Sequence, residues 1–372
     1  MRLKRLISDK QIFALILPLA IVSLLVIQSC KKDKVVTTIT PPEEPTGVQV
    51  DLTTVPYEKL SDYHFFKSPM KDQLPEEGVL PFEPASGLFT DYAHKKRFIW
   101  MPEGVKATYN GDGNVLEFPV GTALIKNFYY ENVQPAGGTR IMETRIMIRK
   151  SSGWIFAEYV WNDAQTEAYL EMDGSYHPIT WLQDGVSKTS NYRLPSETEC
   201  LTCHKDNGNP LPIGVKPQNL NHDFDYTDGT SNQLAKLISV GYLENSLPGT
   251  IVSTVDYADE TYPLKVRLRS YLDINCAHCH RENSHCSYRP LRLAFSETTD
   301  SQNMGICVVP DEIINPTLVE IIVPGNVNKS VMHFRLNSTL ESNRMPLLGR
   351  TLVHEEGVQL LKDFINSIST CD

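Results

Sequence analysis

The chain has 372 residues, with 35 Lys and Arg against 45 Asp and Glu and a formal net charge of −10. That balance repels phosphate backbones and excludes nucleic acid as a partner. A hydrophobic content of 41% over this length is enough for two or three domains with cores of their own.

Arg2, Lys4, Arg5 and Lys10 precede an apolar run from Ile12 to Ile27, which turns polar at Gln28-Ser29-Cys30. A basic segment, an apolar segment and a small residue before a cut are the order of a secretory signal. The run is short for an uncleaved transmembrane anchor. Ile27-Gln28-Ser29-Cys30 resembles a lipobox, which implies cleavage before Cys30 and lipidation of its thiol. Residues 1–29 are then the signal peptide, and the mature chain is a lipid-anchored lipoprotein of the cell envelope. It faces the periplasm, with the outer membrane favoured by the lysines at 31 and 32. Loss of residues 1–29 leaves 31 basic against 44 acidic residues, a formal charge of −13. Residues 30–47, rich in Lys, Thr, Pro and Glu, bury too little to fold and read as a flexible tether.

Residues 48–190 carry strand and turn signals. They include Thr122 to Tyr130, the alternation of Met142, Thr144, Ile146 and Ile148 with Glu143 and Arg145, Trp154 to Trp161, and Ala168 to Met172. Asn110-Gly111-Asp112-Gly113 and Asp173-Gly174 read as turns. This stretch is predicted to be a β-rich domain. Helical spacing follows at Leu234, Leu237 and Ile238, closed by Gly241, at Leu264, Leu268, Tyr271 and Leu272 after Pro263, and at Val358, Leu361, Ile365 and Ile368.

The chemistry lies in Cys200-Leu-Thr-Cys203-His204 and Cys276-Ala-His-Cys279-His280. On a helical turn, positions i, i+3 and i+4 share one sector, so two thiols and an imidazole face the same way. The thiols can add to the two haem vinyl groups while the histidine binds iron, the pattern of c-type haem attachment. At this composition roughly 0.004 copies are expected by chance, against two observed. A zinc site of Cys200, Cys203, Cys276 and Cys279 leaves both histidines unexplained and competes with oxidation. A thioredoxin-like pair lacks its βαβ setting. Of the remaining cysteines, export and closeness in sequence predict a Cys286–Cys307 disulfide, with Cys371 left over. No methionine separates His204 from His280, so His222 is the strong iron ligand inside the first module. A methionine from the β-rich half (Met70, Met101, Met142, Met147 or Met172) or an open position are the alternatives.

Residues 263–370 resemble class I cytochrome c domains. That resemblance implies Met345, just before the last helix, as sixth ligand of the second haem, with Met332 and Met304 as alternates. The mature chain resembles a family of exported bacterial dihaem cytochromes of unassigned role, through residues 88–98, 210–226 and 271–281. The expected architecture is therefore α+β and multidomain. A β-rich domain over 48–190 is followed by two mostly α-helical cytochrome c-like modules, over 191–257 and 258–372. Two covalently bound haems imply an electron carrier between redox partner proteins. The alternatives are a dihaem peroxidase-like enzyme with an open first iron, and a binding protein whose β-rich half holds a ligand.

Overall fold

The computed structural model describes residues 47–371. The signal segment, Cys30 and the tether up to residue 46 lie outside the described residues. An antiparallel sheet of eight strands dominates, in the order β1 (Leu80–Phe82), β2 (His94–Trp100), β3 (Ala123–Val133), β4 (Gly138–Lys150), β5 (Gly153–Trp161) and β6 (Ala168–Leu170). The far end of β3 also pairs with β7 (Ser175–Gln183), which pairs with β8 (Val186–Leu194). β-Branched and aromatic residues fill these strands. At Asp184-Gly185 both residues take positive φ (51° and 78°), the backbone that a two-residue hairpin loop needs to match strand twist.

Both sheet faces are covered. Phe98, Ile125, Ile146, Ile148 and Tyr159 pack on one side against Leu60, Tyr63 and Phe65. Ile99, Leu124 and Met147 pack on the other with Phe82, Leu220, Leu234 and Leu237. The second face also carries charge, because Arg97, Lys126, Arg145 and Glu158 lie opposite one another on β2, β3, β4 and β5.

The expectation of two mostly helical cytochrome c-like modules is overturned. Around the first motif are only α1 (Glu197–Cys203), α2 (Pro217–Leu220), α3 (Gln233–Ser239) and two small ribbons, β9–β10 (Lys205–Asp206, Asn209–Pro210) and β11–β12 (Asp223–Tyr226, Gly229–Asn232). Prolines at 195, 210, 212 and 217 and glycines at 208, 214 and 229 stop each helix within two turns. Helices this short persist only by packing. Later come α4 (Leu264–Asn275), α5 (Val331–Leu336) and α6 (Glu355–Ser367), and between α4 and α5 no helix or strand exceeds three residues. Residues 47–371 group as one compact unit.

Buried polar residues stitch the sheet to the helical segments. The Asp91 carboxylate, 1% exposed, accepts from the Thr351 and Leu352 amides and from the Ser190 and Thr351 hydroxyls. Asp273 on α4 accepts from Lys216, Gln218 and Asn219 and from the Phe295 amide. Both cysteine motifs are thereby held against one scaffold.

Candidate functional site

The first motif lies on α1, which opens with a capping box. Ser196 Oγ accepts from the Glu199 amide, and Glu199 accepts from the Ser196 amide at 2.7 Å. Cys200, Cys203 and His204 border a cavity of about 160 Å3 whose floor is the second face of the sheet, with Leu124, Lys126, Arg145, Met147 and Phe156 among its lining. Phe156 meets the His204 ring edge-on at 5.6 Å between centroids. His204 Nδ1 donates to the Leu211 carbonyl at 3.0 Å. That bond fixes the tautomer and leaves Nε2 as the free acceptor, as a histidine that binds metal requires.

The second motif begins at the C-terminal end of α4. Cys276, His280 and Met345 border one cavity of about 260 Å3, together with Met332 and Cys286. Arg350, 3% exposed, donates to the carbonyls of Arg335, Leu336, Ser338, Met345 and Leu352, so the Met345 loop is tied to the end of α5. His280 Nδ1 is buried without a hydrogen-bond partner among the described residues.

Burial pushes the Cys200 and Cys276 thiols up to about 12 and the His204 and His280 imidazoles down to about 4. The thiols are protonated and both imidazoles neutral at pH 7, with a lone pair free for a metal. Apolar cavities, neutral imidazoles and paired thiols are a donor set that fits covalently attached haem. They do not fit the four-cysteine zinc site. The compact cluster joins Cys203, His278 and Cys279, whose ligand atoms lie within 4.8 Å of one another, and leaves out Cys200 and Cys276.

Two expectations are corrected. Cys307 is bonded to Cys371 across a separation of 64 residues, while Cys286 is a free, buried thiol at the second cavity. The disulfide reaches the chain end rather than the nearest cysteine, because Cys286 is turned inward beside His280. His222 borders neither cavity. Its Nε2 contacts the Glu83 carbonyl and the Gln233 amide, and its Nδ1 contacts the Asp223 carbonyl, so both ring nitrogens are already engaged. Of the five methionines named from the β-rich half, Met147 borders the first cavity; Met304 is in the helical core.

Sequence reasoning missed Arg97, Lys126 and Arg145 as cavity residues. The alternation in β4 placed Glu143 and Arg145 on one side. Nothing local shows that this side is covered by residues far along the chain.

No protein-family model matches the chain, and no solved structure matches it. A curated relative, the Photosynthetic reaction center cytochrome c subunit of Rubrivivax gelatinosus, is 23% identical over 192 residues, which are 44% of this chain and 52% of that protein. The chain thus spans about half the length of the curated relative it matches, and over that stretch it is similar to a c-type cytochrome subunit. Among the described residues no helix is long and apolar enough to cross a membrane.

Proposed function

We propose that the chain is a dihaem c-type cytochrome that carries electrons between partner proteins in the cell envelope. The observation that carries this reading is the meeting of the two motifs, since Cys203 and Cys279, one thiol of each, have sulfurs within 4.8 Å of one another while each motif borders a cavity of its own. The partial similarity to a cytochrome c subunit supports it.

Haem bound at each motif supplies a one-electron iron couple. The chain's residues do the rest. Cys200 and Cys203, and Cys276 and Cys279, would hold the two groups through thioether bonds. His204 offers Nε2 because Leu211 holds its Nδ1–H, and His280 would be the corresponding ligand at the second motif. Met345 and Met147 border the same cavities as these histidines and would offer soft thioether sulfur, which stabilises ferrous iron. A methionine at each cavity favours a carrier over a peroxidase-like enzyme, which requires an open iron. Cys30 lies outside the described residues; its role as a lipidated anchor rests on the signal order and the lipobox resemblance of Ile27-Gln28-Ser29-Cys30, residues 30–47 as the tether on their composition, and the outer membrane on Lys31 and Lys32.

Intact mass of protein made with a haem-attachment system tests the reading. Two haem additions are expected, both surviving acidified-acetone extraction. Fewer than two, or zinc in their place, would overturn it.

A further inference from the structure

The floor of the first cavity carries three basic side chains in one row with a single acid, Glu158, whose carboxyl is favoured in the neutral form by burial. Arg97, Lys126 and Arg145 are directly opposite one another on three adjacent strands, and all three border the cavity with Cys200, Cys203 and His204. Like charges directly opposite across strands are destabilising, the more so when shielded from water. Only Arg145 is fully answered, by a two-point pair with Glu143 at 2.6 and 2.7 Å. Arg97, 7% exposed, has Glu83 at 3.7 Å, beyond hydrogen-bond reach and with 55% of that side chain in solvent. Lys126 makes no ion pair among the described residues, and its ammonium sits 4.7 Å from the Phe128 ring. Burial, with Arg97, Arg145 and Lys95 close by, holds that ammonium well below the ordinary lysine range.

Two basic side chains without a close acid, on the floor of a largely apolar cavity, suit a ligand with an apolar body and two carboxylates, whose charge would also favour the protonated form of Lys126. We propose that Arg97 and Lys126 bind the two propionate groups of the haem carried by Cys200 and Cys203. The proposal rests on the reading of the first motif as a haem attachment site and adds the orientation of the group and the electrostatic control of its potential. A cation beside the haem favours the reduced state, which carries one positive charge fewer, so Arg97 and Lys126 raise the midpoint.

The test uses full-length protein carrying both haems, with Arg97→Gln, Lys126→Gln and, to keep the charge, Lys126→Arg. In a spectroelectrochemical titration each Gln variant should shift one haem by about tenfold in its reduction equilibrium, ~59 mV downward for a one-electron couple, and leave the other unchanged. Lys126→Arg should stay near the wild type. The propionate bending band in the resonance Raman spectrum should move in both Gln variants. Protein with two haems by mass whose midpoints and Raman band are unmoved in both Gln variants overturns the seat and leaves the haem reading standing. Protein with no haem on Cys200 and Cys203 overturns the haem reading instead. Should the Gln variants fail to fold, the wild type still decides. A propionate band that titrates through the ordinary carboxylate range marks propionates free in water, and a band constant across that range marks propionates held by cations.

Discussion

The two cysteine motifs sit in sites built by different means. The first cavity has a floor of regular strands, where register alone fixes which side chains line it: Arg97, Lys126, Arg145 and Glu158 in one row, and Leu124, Met147 and Phe156 in the next. The second is walled by the end of α4, by α5 and by irregular loops, and these need local fastenings, the Cys307–Cys371 disulfide and the Arg350 cluster of carbonyl bonds. A ladder positions groups at no cost beyond the sheet itself. A loop must be tied down residue by residue.

The largest test of this difference removes the methionine from each site in turn. Met345→Ala should make one haem high-spin and able to bind carbon monoxide, and Met147→Ala should do the same to the other, each leaving its neighbour's spectrum alone. A Met147→Ala protein with both haems unchanged would return the first site to an open or differently ligated iron. Next in size is the disulfide. Cys371→Ser opens a loop of 64 residues and should cost about 4 kcal/mol on the chain-entropy account, read as a fall in the denaturant midpoint. Mapping hydrogen exchange at the same time should find the loss in residues 276–371, with the strands of the sheet still protected. Equal loss in both would erase the contrast drawn above.

A third test concerns the charge under the first site. Burial, with Glu143 nearby, pushes the Glu158 carboxyl up to about 10, and neither of its oxygens has a hydrogen-bond partner among the described residues. The folded chain therefore holds a proton there that the unfolded chain releases near pH 4.5. Stability supplied by the neutral carboxyl is complete below that value and is lost as pH rises toward 10, by up to about 1.4 kcal/mol per pH unit. Glu158→Gln should flatten this slope and melt higher than the wild type at pH 8. An unchanged slope would place the proton elsewhere. The smallest effect is expected at His222, where Ala should cost about 1 kcal/mol for the lost bonds to Glu83 and Gln233 and leave both haem spectra as they were.

Much of this was legible in short stretches of sequence. The motifs are local, and so are the strand patterns at Trp154 to Trp161 and Ile141 to Ile148, the α4 spacing after Pro263, and the helix containing Val358, Leu361 and Ile365. What escaped depends on distance along the chain. Alternation in β4 marked Glu143 and Arg145 as the polar side, yet Glu143 is fully buried because Tyr192 on β8 covers it and donates to it at 2.6 Å. The partner of Cys307 was sought nearby, whereas the fold brings it from position 371. Helical spacing gave the helices but not their extent, which Pro and Gly cut short around the first motif.

Arg350 has a consequence for kinetics. One guanidinium binds carbonyls from the end of α5, from the loop after it and from the segment that Asp91 holds to the sheet, so the Met345 sulfur shares the rigidity of all three. With Met345 as the proposed ligand, few nuclei are free to move when the charge on the iron changes by one. The reorganisation energy of that centre should accordingly be small, and exchange of an electron there fast in both directions.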